Sequence, residues 1–134
     1  MASNRIRRDR DAKLVILDSN AIMMLFEFSI DFEGELTRLL GKYHVVIPIP
    51  IIRELEFLSK HGKGKKSFFA KSSLKLIEKY DVEEADGKGD DAVFCLAKKL
   101  NGIVVTNDRE LKNRLKAASL QVIYLRGKKQ LSMD

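Results

Sequence analysis

One cysteine, Cys95, is present in 134 residues, which excludes an intramolecular disulfide and any zinc site built on several thiolates. Two separated histidines add little to that inventory, so a metal held by this chain must be held by oxygen. Long apolar runs are also missing. The longest are residues 21–26 and the proline-broken residues 45–52, far short of the ~18 residues that span a bilayer, which excludes a membrane protein. The N-terminus, MASNRIRRDRDAK, has basic residues but no apolar stretch behind them, so no secretory signal is expected and the protein is assigned to the cytoplasm. No internal repeat, low-complexity tract or interdomain linker interrupts the chain. Its length suits one domain, assigned to residues 13–134, preceded by a loose basic arm over residues 1–12.

What is abundant is charge. Lys and Arg outnumber Asp and Glu by 25 to 19, giving a net charge of +6 that favours a polyanionic partner. The excess is unevenly placed. Residues 60–80 hold seven lysines against one acid, Glu78, whereas residues 13–59 lean acidic. Apolar runs rich in Val or Ile at residues 14–17, 44–47, 103–105 and 121–125 predict buried strands. Helical periods lie between them, at residues 21–28, 32–40, 51–58, 65–80, 91–100 and 110–118. Strands apolar on both faces and alternating with helices predict an α/β fold, a three-layer sandwich with a central parallel sheet.

Acids recur where the predicted strands end. In open α/β sheets the ligand crevice lies outside the carboxyl ends of the strands, near the point where strand order reverses. The first strand runs straight into Asp18-Ser19-Asn20 and the 103–105 strand into Thr106-Asn107-Asp108. Pro48 and Pro50 lead into a helix carrying Glu54, and Gly87-Lys88-Gly89 delivers Asp90 and Asp91 to the next helix. Singly, Asp18, Asp90 and Asp108 read as helix N-caps and Glu54 as a surface glutamate. A strand filled on both faces has no structural need, however, to end twice in an Asp with a Ser, Asn or Thr beside it. Clustered carboxylates repel one another and stay ionised together only beside a cation. Oxygen ligands select Mg²⁺ or Mn²⁺, as one or two ions, and such sites serve hydrolysis at phosphorus.

These motifs together resemble the PIN-domain nucleases over roughly residues 14–126. The resemblance is carried by Asp18-Ser19-Asn20 after a strand, by Pro48 followed by Arg53-Glu54-Leu55, by Asp90 with Leu96-Ala97 and Leu100, and by Thr106-Asn107-Asp108 after a Val-rich strand. It implies a parallel sheet of order 3-2-1-4-5, a metal site of Asp18, Glu54, Asp90 or Asp91, and Asp108, supported by Asn20 and Thr106, and endoribonuclease activity. The third acid has two candidates. The apolar face of Val93, Leu96, Ala97 and Leu100 lies nearer Asp90, as does the family's spacing to Leu96-Ala97, while the Asp-Ala dipeptide and the distance to Gly102 favour Asp91. Asp90 ranks first. Within the family, the segment 122–129 and the 109–116 helix look like the single-domain proteins of ribosomal RNA processing, and toxins of the VapC kind are the sibling reading.

The implied substrate is single-stranded RNA, with ribosomal RNA as one candidate. Its phosphates are expected to meet Lys60, Lys63, Lys65, Lys66 and Lys71 and the N-terminal Arg5, Arg7, Arg8 and Arg10. A homodimer or a ribosome-assembly partner are the assemblies left open, with an antitoxin as partner on the toxin reading. A PIN-like RNA-binding assembly factor without turnover is the non-enzymatic alternative. Phe68 and Phe69 read as core residues rather than a base-stacking surface, and Cys95 as a packing residue. A haloacid-dehalogenase-like phosphatase is disfavoured because Asn20 stands where its second aspartate belongs.

Overall fold

The computed structural model describes residues 12–127 and 129–134, so residues 1–11 of the expected arm, with its expected RNA contacts at Arg5, Arg7, Arg8 and Arg10, lie outside the described residues. Five parallel strands, β1 (Lys13–Leu17), β2 (Tyr43–Pro48), β3 (Asp81–Glu83), β4 (Ile103–Val105) and β5 (Val122–Arg126), form one sheet with an antiparallel edge strand, β6 (Gln130–Met133). The order is β3-β2-β1-β4-β5-β6, which contains the expected 3-2-1-4-5. Helices α1 (Ser19–Glu27), α2 (Phe32–Leu40), α3 (Ile49–His61), α4 (Lys65–Ile77), α5 (Gly89–Leu100) and α6 (Arg109–Ala117) fill the connections. Successive strand residues face opposite sides of a sheet, and Val15, Ile16 and Leu17 are all fully buried, so both faces of β1 are covered. That is the three-layer arrangement.

Two strands escaped the reading of apolar runs. β3 is a three-residue strand with acids at two of its positions, Asp81 and Glu83, and no apolar run marks it. β6 follows the turn at Gly127, where φ is +71°. Its backbone is tied to α2: the Leu131 N–H donates to Glu35 at 2.8 Å and Arg38 donates to the Leu131 carbonyl at 2.6 Å. Residues 130–133 are therefore part of the sheet as a hairpin strand, its edge groups answered by a helix.

The basic interruption between α3 and α4 is a tight turn. A Cβ on Gly62 would stand 2.5 Å from the Leu58 carbonyl oxygen, so only glycine lets the chain close so near the end of α3. Ser67 Oγ then donates to the Ser59 carbonyl at 2.8 Å, fastening α4 against α3. Phe69 packs against the core as expected, whereas Phe68 is 63% exposed and Cys95 is also exposed, correcting the packing roles read for both. Among the described residues, no helix is long and apolar enough to cross a membrane.

Candidate active site at the carboxyl edge of the sheet

Leu17 and Val105 are register partners in neighbouring parallel strands, so the chain leaves β1 and β4 at one level. Strand order reverses between these two strands, which makes this the crevice where α/β sheets take ligands. Asp18 follows β1 at once. Its backbone is extended, and one carboxylate oxygen accepts from the Ala21 N–H at 2.7 Å, capping α1. The other accepts from the Thr106 hydroxyl at 2.6 Å. Asp108 caps α6 by accepting from the Leu111 N–H at 2.9 Å, and its own N–H donates to the Thr106 hydroxyl at 3.1 Å. The buried Thr106 thus bridges the two aspartates' connections, one through a side chain and one through the backbone.

Capping does not account for everything about Asp18. Asp18 is only 5% exposed, and its pKa is pushed up to about 6. Burial is the main cause; the hydrogen bonds from Thr106 and Ala21 oppose it, and the charges of Asp90 and Asp108 add to it. Asp90, half-buried in the first turn of α5, is also raised, first by burial and then by the Asp108 carboxylate. Three aspartates from three connections therefore share one field.

The neighbouring acid behaves differently. Asp91 is exposed and its carboxylate accepts from Arg114 of α6 at 2.9 Å, so it joins α5 to α6. One residue along a helix is about 100° of rotation, enough to separate an acid that faces the crevice from one that faces a neighbouring helix. Glu54 is half-buried on α3 and lines a cavity of about 680 Å³ with Pro50, Arg53, Phe57, Ala85 and the Gly87-Lys88-Gly89 loop that delivers Asp90. Asn20 is exposed in the first turn of α1. Lys60, Lys63, Lys65, Lys66 and Lys71 are all exposed along the end of α3, the turn and the start of α4.

Three residues beyond the sequence-derived set bear on this edge. Arg53 and Phe57 share the cavity with Glu54, and their spacing from it on α3 was the available signal. Glu83 ends β3 in register with Pro48, is buried, and keeps one carboxylate oxygen without a hydrogen-bond partner. No apolar run pointed to it.

Among the described residues, no three His, Cys, Asp or Glu side chains are already gathered tightly enough to hold a metal. The donor set fits a hard cation nonetheless. Asp18, Asp90 and Asp108 offer only oxygen, and burial, with repulsion from neighbouring carboxylates, disfavours the ionised forms of Asp18 and Asp90 until a cation offsets it. Mg²⁺ needs only one or two carboxylates and keeps its remaining positions for water and phosphate, which suits an open set. Asp108 separates the capping role from this one. Asparagine caps a helix about as well as aspartate, so Asp108→Asn is expected to stay within ~0.5 kcal/mol of the parent in urea unfolding, whereas Asp108→Ala loses ~1 kcal/mol. Loss of RNA cleavage in both would assign Asp108 to the chemistry, and full activity in Asp108→Asn would leave it a cap alone.

Over residues 15–128 the chain matches the family described as PIN like domain. It is 32% identical over 127 residues to Ribonuclease VapC9 of Archaeoglobus fulgidus, covering 95% of this chain and 93% of that protein. It is 36% identical over 120 residues to Ribonuclease VapC4 of Methanocaldococcus jannaschii, covering 86% and 92%. Among solved structures it is similar to the PIN domain endonuclease Utp24, with a TM-score of 0.76 and 92% of each chain covered; at 22% identity that is a likeness of fold.

Proposed function

Since the chain belongs to the PIN-like domain family, we propose that it is a metal-dependent endoribonuclease hydrolysing phosphodiester bonds in single-stranded RNA. The observation that carries this is the buried Asp18 carboxylate, placed at the reversal of strand order within the field of Asp90 and Asp108. On this reading Asp18, Asp90 and Asp108 hold one or two Mg²⁺ or Mn²⁺ ions, with Glu54 on the flank formed by α3. When bound there, such a cation would supply an activated water and positive charge to offset the leaving oxygen. Thr106 fixes the orientation of Asp18 by its hydrogen bond, and Asp91 acts through Arg114 to hold α5 against α6. Hydrolysis forms one bond from water oxygen to phosphorus and breaks one ester bond, so the protein supplies position and charge rather than a nucleophile.

The test is incubation of single-stranded RNA with the protein in Mn²⁺, Mg²⁺ or EDTA. Internal cleavage that needs the metal is the expected result; tight RNA binding without cleavage in either metal would make the protein a binding factor. Two biological settings follow from different observations. Ribosomal RNA processing rests on the likeness of the last helix and the C-terminal segment, and a VapC-type ribonuclease held by an antitoxin rests on the names of the two relatives. Growth arrest on expression, relieved by a small co-encoded protein, would select the second.

The lysines of the α3–α4 turn contribute affinity through phosphates. Each lost contact lowers the log-log salt slope by roughly 0.7 for a single strand, so Lys63, Lys65 and Lys66 changed together to Ala should lower it by about 2. Titrations of RNA binding at several salt concentrations check this. An unchanged slope would make the lysines a solvated face.

A further inference from the structure

Phe57 is 61% exposed on a helix that buries Ile51 and Leu55 in the core. Leaving so large an apolar ring in water forgoes the stabilisation its burial would bring, so its surroundings matter. Phe57 stands three residues after Glu54, on the same flank of α3, and lines the same cavity. One turn further along, the His61 ring lies with its centroid 4.6 Å from that of Phe57, the two planes tilted by 39°. Together they make an aromatic ledge leading away from Glu54 toward the lysine-rich turn.

The cavity beside this ledge has a defined chemistry. Its volume of about 680 Å³ is in the range of small-ligand sites, and Arg53 and Lys88 supply cations to its walls. Lys88 and Gly89 belong to the loop that leads into Asp90, so the cavity adjoins the acidic crevice. An apolar side chain from a protein partner would use the ring and leave the cations idle. A nucleotide uses both, with its base on the ring and its phosphate beside the guanidinium or ammonium group.

We infer that Phe57, backed by His61, is a stacking platform that seats one unpaired nucleobase of an RNA strand beside the acidic crevice, with Arg53 and Lys88 taking the adjoining phosphate. This deepens the ribonuclease reading and rests on it for the identity of the strand. A base inside a duplex has both faces covered by its stacked neighbours, so the platform selects single strands over duplexes. Stacking is indifferent to salt, which separates its contribution from that of the lysines.

The absence of tryptophan makes the test direct, because Phe57→Trp introduces a single tryptophan that can be excited apart from the three tyrosines. The variant is made in the Asp18→Asn background so that RNA stays intact, and titrated with short oligouridylate and with an abasic strand of the same length. Saturable quenching by oligouridylate and none by the abasic strand is expected. In the same background, Phe57→Ala should weaken binding by about tenfold or more with an unchanged salt slope, and Phe57→Tyr should restore it. An unquenched Phe57→Trp at concentrations where labelled RNA is fully bound would overturn the inference, as would parental affinity in Phe57→Ala. If wild type leaves RNA uncut while quenching persists, the nuclease reading fails and the platform stands; cleavage without quenching sinks the platform alone. A wild-type dimer that Phe57→Glu converts to monomer would assign the ledge to a second copy and likewise overturn it.

Discussion

Asp18→Asn should reduce metal-dependent RNA cleavage by at least about a hundredfold, since even outer partners of metal ligands cost roughly 10- to 100-fold when removed. The same substitution should make the metal-free protein more stable at neutral pH. Its carboxyl is buried, and its pKa is raised from the ordinary 3.8 to about 6, so the folded state takes up the proton more readily than the unfolded chain. Stability from this group is therefore full below pH ~4, falls as pH rises through about 6, and at pH 8 has dropped by about 3 kcal/mol. An amide carries no charge to bury, still accepts from the Ala21 N–H as a cap, and can donate to the rotatable Thr106 hydroxyl. Unfolding in EDTA is the measurement: the variant should exceed the parent by up to about 3 kcal/mol at pH 8 and match it near pH 4. A variant less stable than the parent at pH 8 would show that burying the ionised Asp18 carboxylate does not cost the metal-free protein stability.

Removing or restoring the metal should move the parent's stability by a comparable amount. A cation that binds only the folded state stabilises by about 2.7 kcal/mol at a hundred times its dissociation constant. Mn²⁺ is therefore expected to raise the unfolding temperature at pH 7.5 and to do so progressively less below pH ~6, where Asp18 is protonated and competes with the cation. Asp18→Asn should lose most of this shift and Asp91→Asn should keep it, because Asp91 is engaged with Arg114. An equal Mn²⁺ shift in Asp18→Asn and the parent would place the cation elsewhere. Scanning calorimetry across pH, with and without EDTA, separates these outcomes.

The parts of this protein that could be read from local order are those in which neighbours in sequence cooperate. Residues 14–17 and 103–105 are apolar without interruption because both faces of their strands are covered, and the helical periods between them recover six helices with ends shifted by a few residues. β3 was illegible by the same logic. It is short, it lies at the edge, and its residues are specified by partners far away, such as the contact of Asp81 with His44 of β2. β6 needed the turn at Gly127 and the side chains of Glu35 and Arg38, more than ninety residues earlier.

By itself the sequence determined that acids stand at the ends of strands, that a basic turn lies between two helices, and that any metal must be bound through oxygen; these are matters of residue type and short spacing. Only the tertiary structure decided what those acids experience. The Thr106 hydroxyl reaches Asp18 across 88 residues, burial raises the Asp18 carboxyl, and Arg114 draws Asp91 aside while Asp90 shares the field of Asp18 and Asp108. The physical reason is that desolvation and Coulomb forces depend on distance through space and on exclusion of water. Two adjacent aspartates are equivalent in a sequence, but 100° of helix rotation gives them different neighbours.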